Sequence, residues 1–170
     1  DSVQTELAGG VEQVYSNEYS FIAISNNGAV ITWGDAHYGG DSSCVRDAIA
    51  DGVLQIYTGP YAFAALTKGG SVVAWGGSHT GGDSSCVQTE LAKGVQHVYS
   101  SRYAFAAVMN DGSVITWGSG AHGGDSAHVQ TELANGVLQI YSTWHAFAAL
   151  KSDGSVITWG RSEDGGDSSF

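Results

Sequence analysis

The sequence is poor in basic residues, proline and cysteine, and each shortage excludes a class of protein. Six lysines and arginines oppose 17 aspartates and glutamates, which gives a net charge of -11. Because this charge repels nucleic-acid phosphates and anionic membrane surfaces, we expect neither as a partner. A single proline excludes proline-rich linkers, and two cysteines, Cys44 and Cys86, are too few for a disulfide scaffold.

Long hydrophobic runs and catalytic signatures are also missing. No apolar stretch approaches the roughly 18 residues that span a bilayer, so we expect a soluble protein without membrane insertion. No targeting signal is visible, and the cellular compartment stays unknown. The chain has no nucleophile elbow, P-loop, zincin or Cys-x-x-Cys motif, and its serines and aspartates occupy positions that repeat. We therefore predict no enzyme activity, no catalytic residue and no cofactor.

Almost the whole chain consists of one segment that is repeated four times. Aligned on itself without gaps, it divides into units 3–44, 45–86, 87–128 and 129–170, each 42 residues long. Such a period is typical of solenoids and propellers, in which a unit cannot bury its apolar face without a neighbour. The sequence predicts a single repeat array, and we expect it to be part of a longer array or a self-assembling unit.

Each unit carries signals for three strands. In unit four these are residues 137–141, 146–150 and 155–159, which are rich in β-branched, aromatic and small apolar residues. A pair typical of a two-residue type I′ hairpin separates the last two strands of every unit. The four pairs are Asn27-Gly28, Gly69-Gly70, Asp111-Gly112 and Asp153-Gly154. The predicted fold class is all-β.

A short helical turn is predicted to follow the Gly-Gly pair that ends each unit. In the second unit Ser85 is the expected N-cap, Gln88 the returning partner of a capping box, and Gly94 the C-terminal stop. Ala127 replaces the serine in the third unit, so Asp125 or Ser126 is expected to cap there.

Residues 148–160, AALKSDGSVITWG, combine a small-apolar strand, Asp-Gly, valine and Trp-Gly before a glycine-rich turn. This pattern resembles the repeat of the RCC1 (regulator of chromosome condensation) family and recurs in every unit, as in residues 65–82 and 149–166. The resemblance implies β-propeller-type repeats of three strands plus a helical turn, and an open β-rich superhelical solenoid is the alternative.

The family differs from this chain in ways that bear on activity. Its repeats are usually longer and carry Gly-Gln-Leu-Gly where this chain has Gly-Gly-Asp-Ser. The founding member of the family catalyses nucleotide exchange on a small GTPase and binds chromatin. Neither activity can be assigned to particular residues of this chain, because nucleotide exchange depends on elements outside the repeats and chromatin binding needs positive charge. The resemblance therefore supports the fold, not an activity.

Two aromatic positions recur in every unit, and we expect their side chains to form the core between repeats. An alternative reading makes the tryptophan rings platforms for a sugar or another ligand. The residues are Trp33, Trp75, Trp117 and Trp159, with Phe21, Phe63, Phe105 and Phe147.

Potential metal ligands also recur, yet neither set matches a known site. An aspartate follows each Gly-Gly pair, and Asp164 stands near Asp167 in unit four. Calcium is one interpretation, but the spacing fits no known calcium loop and Asp after Gly commonly caps a turn. Cys44, Cys86 and His128 share one slot, where Phe170 removes the fourth ligand that zinc would need. We predict no metal site and interpret this slot as a small packing residue.

Positions that differ between units are where specificity could lie, because the repeat does not dictate them. Most follow the first strand of each unit, in predicted loops, where exposed aromatic and arginine side chains dominate binding energetics. Neutral variation of a surface is the alternative, and we interpret His37, His79 and His122 as solvated loop residues. The candidate binding residues are Tyr19, Tyr61, Arg102, Trp144 and His145.

The favoured function is a non-enzymatic repeat scaffold, structural or self-assembling. Neither terminal unit carries a polar capping variant, so head-to-tail contacts between copies would build a ring or a filament. The alternative is a closed propeller that binds through its loop aromatics, either a lectin-like module with a glycan ligand or an adaptor for another protein. A third reading is an adaptor whose acidic surface attracts a basic partner.

Overall fold

The computed structural model describes residues 3–168, and within them it confirms the all-β prediction. Each unit forms its own three-stranded antiparallel sheet, with its strands in chain order. The first two sheets are β1 (Val11–Ser16), β2 (Ser20–Ser25), β3 (Val30–Gly34), and β4 (Val53–Thr58), β5 (Ala62–Thr67), β6 (Val72–Gly76). The others are β7 (Val95–Ser100), β8 (Ala104–Met109), β9 (Val114–Gly118), and β10 (Val137–Ser142), β11 (Ala146–Lys151), β12 (Val156–Gly160).

Short helical segments precede, join and follow the sheets. Two are α-helical, α1 (Val3–Leu7) and α2 (Arg46–Ile49), and no helix within residues 3–168 is long and apolar enough to cross a membrane. The remaining links are 3₁₀ turns: Ala36–Tyr38, Ser43–Val45, Ser78–Thr80, Ser85–Val87, Glu90–Ala92, Gly120–His122, Ala127–Val129, Glu132–Ala134 and Ser162–Asp164.

The recurring phenylalanine and tryptophan of each unit face each other across the second and third strands. In unit three Phe105 pairs with Trp117, and their rings stack with centroids 5.4 Å apart. Because successive strand residues point to opposite faces, this register places both rings on one face of the sheet. Each sheet therefore presents an aromatic face toward one side of the array.

The hairpins differ from the predicted two-residue turns. In unit four the N–H of Gly154 donates to the carbonyl of Lys151, and the N–H of Lys151 donates to the carbonyl of Ser155. Among residues 3–168 only glycines have left-handed φ, so Asp153 cannot occupy a type I′ position. The connection is a four-residue turn over residues 151–154 whose last residue, Gly154, has a φ of 84°, which makes it a hairpin with a glycine bulge. The type I′ prediction was wrong in all four units.

The caps of the helical links also differ from the prediction. Asp83 Oδ1 accepts from the N–H of Ser85, so the aspartate caps this turn in place of Ser85. Gln88 bonds to Ser84 and donates Nε2–H to the carbonyl of Val72, which ties the link to the preceding sheet rather than closing a capping box. In the third unit Asp125 accepts from the N–H of Ala127, one of the two expected arrangements.

The core consists of three interfaces, each between successive units. In the last of them Val108 and Val114 of unit three pack against Leu133, Phe147 and Trp159 of unit four. The other two clusters repeat this arrangement one and two units earlier. Among the described residues no buried cluster joins unit four to unit one, so the four sheets form an open arc with two end faces.

Candidate functional site: two end faces and a loop rim

Every internal interface is built on a glycine. The indole N–H of Trp117 donates to the carbonyl of Gly81 in the preceding unit, at 3.0 Å. A side-chain carbon added at Gly81 would lie 2.4 Å from Cδ2 of Phe105, so only glycine leaves room for the ring. Trp75 with Gly39 and Trp159 with Gly123 repeat the hydrogen bond. The interface thus joins an aromatic face of one unit to a glycine slot of the unit before it.

Unit one presents the same aromatic face uncovered, and we call it the rear face (Val14, Phe21 and Trp33). Phe21 is 44% exposed, whereas Phe63, Phe105 and Phe147 are at most 1% exposed. Trp33 is half-buried, and its indole N–H has no acceptor among residues 3–168. Phe21 and Trp33 were predicted to lie in the core between repeats, but they lie at the surface because no unit of the described chain covers them.

Unit four presents the complementary face, which we call the front face (Tyr141, Val156 and Gly165). Val156 is 54% exposed, whereas its counterparts Val72 and Val114 are fully buried. No heavy atom of the described chain lies within 4 Å of a side-chain carbon added at Gly165. The glycine slot that holds a phenylalanine ring in each internal interface is therefore vacant here.

The loops that follow the first strands form a second surface, the rim. Tyr19, Tyr61, Tyr103 and His145 occupy the same slot in successive units and stack in one column. Their ring centroids are 5.7, 5.7 and 5.6 Å apart along the column. The two inner rings, Tyr61 and Tyr103, each have a neighbouring ring on both sides, whereas Tyr19 at the end of the column is 47% exposed. The inner rings consequently offer little free surface on which a sugar could stack.

Arg102 of unit three contacts both unit two and unit four across this rim. Its guanidinium lies 4.9 Å from the ring of Trp144, and its Nε–H donates to the hydroxyl of Tyr61 at 3.0 Å. The hydrogen bond to Tyr61 is the main cause of a raised pKa of Arg102, and the carboxylate of Glu18 adds a smaller contribution. Trp144 is 68% exposed and is the large apolar side chain that the rim offers to a partner.

A histidine pair ends the column in unit four. His145 Nδ1 lies 2.9 Å from Asp164 Oδ2, and the ring of His122 lies 4.9 Å from that of His145. Burial lowers the pKa of His122, with a smaller effect from His145. Three residues of the rim were not predicted to be there from the sequence: Tyr103, His122 and Asp164. The signal that could have found Tyr103 is its 42-residue spacing from Tyr61.

The rim also brings all four units together. Glu18, Pro60, Arg102 and Trp144, one from each unit, line a single groove of about 320 Å³. Sheets stacked in a straight row at about 10 Å would place units one and four roughly 30 Å apart. Their meeting in one small groove shows that the array curves around the rim.

Several solved proteins share this architecture at low sequence identity. Prp20p of Saccharomyces cerevisiae, the yeast RCC1, is 15% identical with a TM-score of 0.59, covering 88% of this chain and 44% of its own. Human WBSCR16 is 20% identical with a TM-score of 0.55, covering 91% and 48%. The fold is RCC1-like.

The likeness has clear bounds. The Physcomitrella patens receptor kinase CR4 ectodomain is 15% identical with a TM-score of 0.54, covering 88% of this chain and 39% of its own. The chain thus spans less than half the length of these solved proteins, and identities this low show the fold alone. Prp20p binds Gsp1p, histones and Kap60. No protein-family model matches the chain, and no curated protein matches its sequence.

The candidate metal ligands lie apart in this RCC1-like array. Cys44, Cys86 and His128 are all exposed, which differs from the packing role that we expected. Within residues 3–168 no three His, Cys, Asp or Glu side chains are grouped to hold a metal ion. Phe170 lies outside the described residues, and Asp167 is exposed.

The repeated aspartates act as caps instead. Asp41 Oδ1 accepts from the N–H of Ser43 at 2.8 Å, which lowers the pKa of Asp41. Asp83 and Asp125 make the equivalent bond. Asp164, the other calcium candidate, pairs with His145 and Arg161. The carboxylates are thus committed to turns and ion pairs.

Proposed function

We propose that the chain is a non-enzymatic repeat scaffold that assembles with itself head to tail, the rear face of one copy covering the front face of another. One observation carries the proposal: the phenylalanine slot is closed wherever a unit precedes it and 44% exposed in unit one. The vacant slot at Gly165 is its structural complement. The two faces differ, so the contact is heterologous and propagates to a ring or a filament.

The energetics favour covering both faces. Full burial of an apolar side chain such as Phe21 or Val156 stabilises by about 1.5–3 kcal/mol relative to exposure. The indole N–H of Trp33 would add a net hydrogen bond of about 1 kcal/mol. Scattered exposed apolar residues are ordinary, but two faces that match an interface already present three times in the chain are specific.

A second function, binding of another protein at the rim, is favoured by Trp144 and Arg102. Exposed tryptophan and arginine side chains are the commonest anchors of protein interfaces, and the acidic chain would favour a basic partner. The covered faces of the tyrosine column make a glycan ligand the weaker choice. Arg102 and Trp144 lie on the rim rather than on either end face, so a partner bound to them leaves Phe21 and Gly165 uncovered.

Size-exclusion chromatography with light scattering tests the proposal. We expect a mass above the monomer value of 17.6 kDa at micromolar concentration. Phe21→Glu should return the protein to the monomer, because a charge cannot enter an apolar slot. Leu54→Glu is the matched control: Leu54 is 58% exposed, and unit one already carries Glu12 at this position. A monomeric wild type at high micromolar concentration would overturn the proposal.

A further inference from the structure

We infer that two copies of the chain close on each other to form one ring of eight units, rather than an unlimited filament. The inference rests on the proposed head-to-tail contact and names its partner, a second copy. Two chains of four units each meet at two equivalent junctions, and both rear faces and both front faces are then covered. No end face remains to recruit a third copy.

The curvature of the array supports closure. The first strands of neighbouring units contact each other, β1 with β4, β4 with β7 and β7 with β10. The loops that follow these strands converge on the groove shared by all four units. Glu18 of unit one even helps to raise the pKa of Arg102 of unit three, behind the larger effect of Tyr61. An array that bends this strongly toward one rim returns on itself when it is extended.

The length of the arc supports two chains in particular. The aligned part of this chain matches 44% of Prp20p and 48% of WBSCR16, with TM-scores of 0.59 and 0.55. The residue length of two chains is therefore close to that of one such protein.

The internal interfaces give the register of each junction. Trp33 occupies the position that Trp117 has in an internal interface. Its indole N–H therefore donates to the carbonyl of the partner's Gly165, as that of Trp117 donates to Gly81. Phe21 covers that glycine as Phe105 covers Gly81. Tyr19 stacks on the partner's His145 and continues the column of rings.

Closure also completes the rim groove. Glu18 of each chain comes to lie near Trp144 of the other, because they occupy the same slot in units that become neighbours. Two copies of Arg102 and Trp144 then line one enclosed mouth.

Gly165→Ala tests the junction without disturbing the chain itself. Gly165 and Gly70 have φ of 97° and 83°, and neither added side-chain carbon would meet a heavy atom within 4 Å in the described chain. The two alanine variants should therefore be strained alike and fold alike. Only the methyl group at Gly165 would collide with the ring of the partner's Phe21, as an added carbon at Gly123 would with Phe147 at 2.5 Å.

Light scattering and sedimentation over a wide concentration range decide between the outcomes. We expect wild type and Gly70→Ala at twice 17.6 kDa, without growth at higher concentration, and Gly165→Ala at 17.6 kDa. A series of masses or fibres that grow with concentration would overturn closure while leaving the head-to-tail contact intact. A wild-type monomer would overturn both, and a dimer unaffected by Gly165→Ala would overturn the register.

Mixing two defective variants provides an independent check. Phe21→Glu and Gly165→Ala should each be monomeric alone, because every junction is damaged. A mixture retains one undamaged junction per pair, so it should form a one-to-one dimer of lower affinity than wild type. Native mass spectrometry separates the two variants by mass, and homodimers in either pure sample would contradict the inference.

Discussion

The interface between units two and three and the two end faces contain nearly the same residues in different surroundings. Phe105 is fully buried against Gly81, whereas Phe21 is 44% exposed and no unit lies over it. Each repeat therefore carries both halves of an interface. One side is an aromatic face, and the other side is a glycine slot. Burial is a property of the pair of units and not of the single repeat.

The largest contrast is expected for the recurring tryptophan. Trp117→Ala removes a ring that is 1% exposed together with its hydrogen bond to Gly81, and should destabilise by about 3–5 kcal/mol. Trp33→Ala should cost much less in the monomer, since its ring is half-buried and its N–H has no acceptor among residues 3–168.

Urea unfolding followed by circular dichroism measures both losses. The Gly165→Ala background keeps the chains monomeric and leaves Phe21 stacked on Trp33, so that association does not contribute. Equal losses for the two variants would show that the end unit is packed as tightly as the internal ones, which would contradict the comparison.

A smaller contrast is expected between the helical links. Gln88 binds Ser84 and the carbonyl of Val72, whereas Arg46 occupies the same slot in the preceding link and has no such bond. Gln88→Ala should cost about 1–2 kcal/mol because it removes two hydrogen bonds, one of them to a buried serine. Arg46→Ala is the matched control and should change the unfolding free energy by less than about 0.5 kcal/mol.

The smallest effect concerns the hairpins and pH. Bonds from the hydroxyl and N–H of Ser113 lower the pKa of Asp111 below its ordinary value of 3.8, and Ser155 does the same for Asp153. A lowered folded-state pKa stabilises above the unfolded-state pKa, and this contribution is lost as pH falls through the folded value. Acidification below about pH 4 should therefore weaken these two hairpins.

Unit one supplies the control for this pH effect. Asn27 stands at the same turn position and accepts from the N–H of Ala29 without titrating. Asp111→Asn combined with Asp153→Asn should keep stability at neutral pH and flatten its decline in acid. The midpoint of acid unfolding measures this, and an unchanged decline would assign the acid sensitivity to other carboxylates.

The failed sequence predictions share a cause. The Asp-Gly pairs correctly indicated hairpins, but the turn type depends on how many residues the strand register leaves between β11 and β12. Gln88 was read as part of a local capping box, yet its partner is Val72, 16 residues away. Local patterns predict that a turn or a cap occurs, whereas long-range contacts select its partners.

Strand positions, the fourfold repetition and the pairing of each phenylalanine with a tryptophan follow from local order, because hydrophobic alternation and turn residues act over a few residues. One feature does not follow from local order: the convergence of Glu18, Pro60, Arg102 and Trp144 on one groove. It depends on the angle between successive sheets, which the fit of phenylalanine rings against glycine backbone sets three times over. That fit exists only once neighbouring units are in contact, so tertiary structure alone decided the curvature of the array and which faces stayed uncovered.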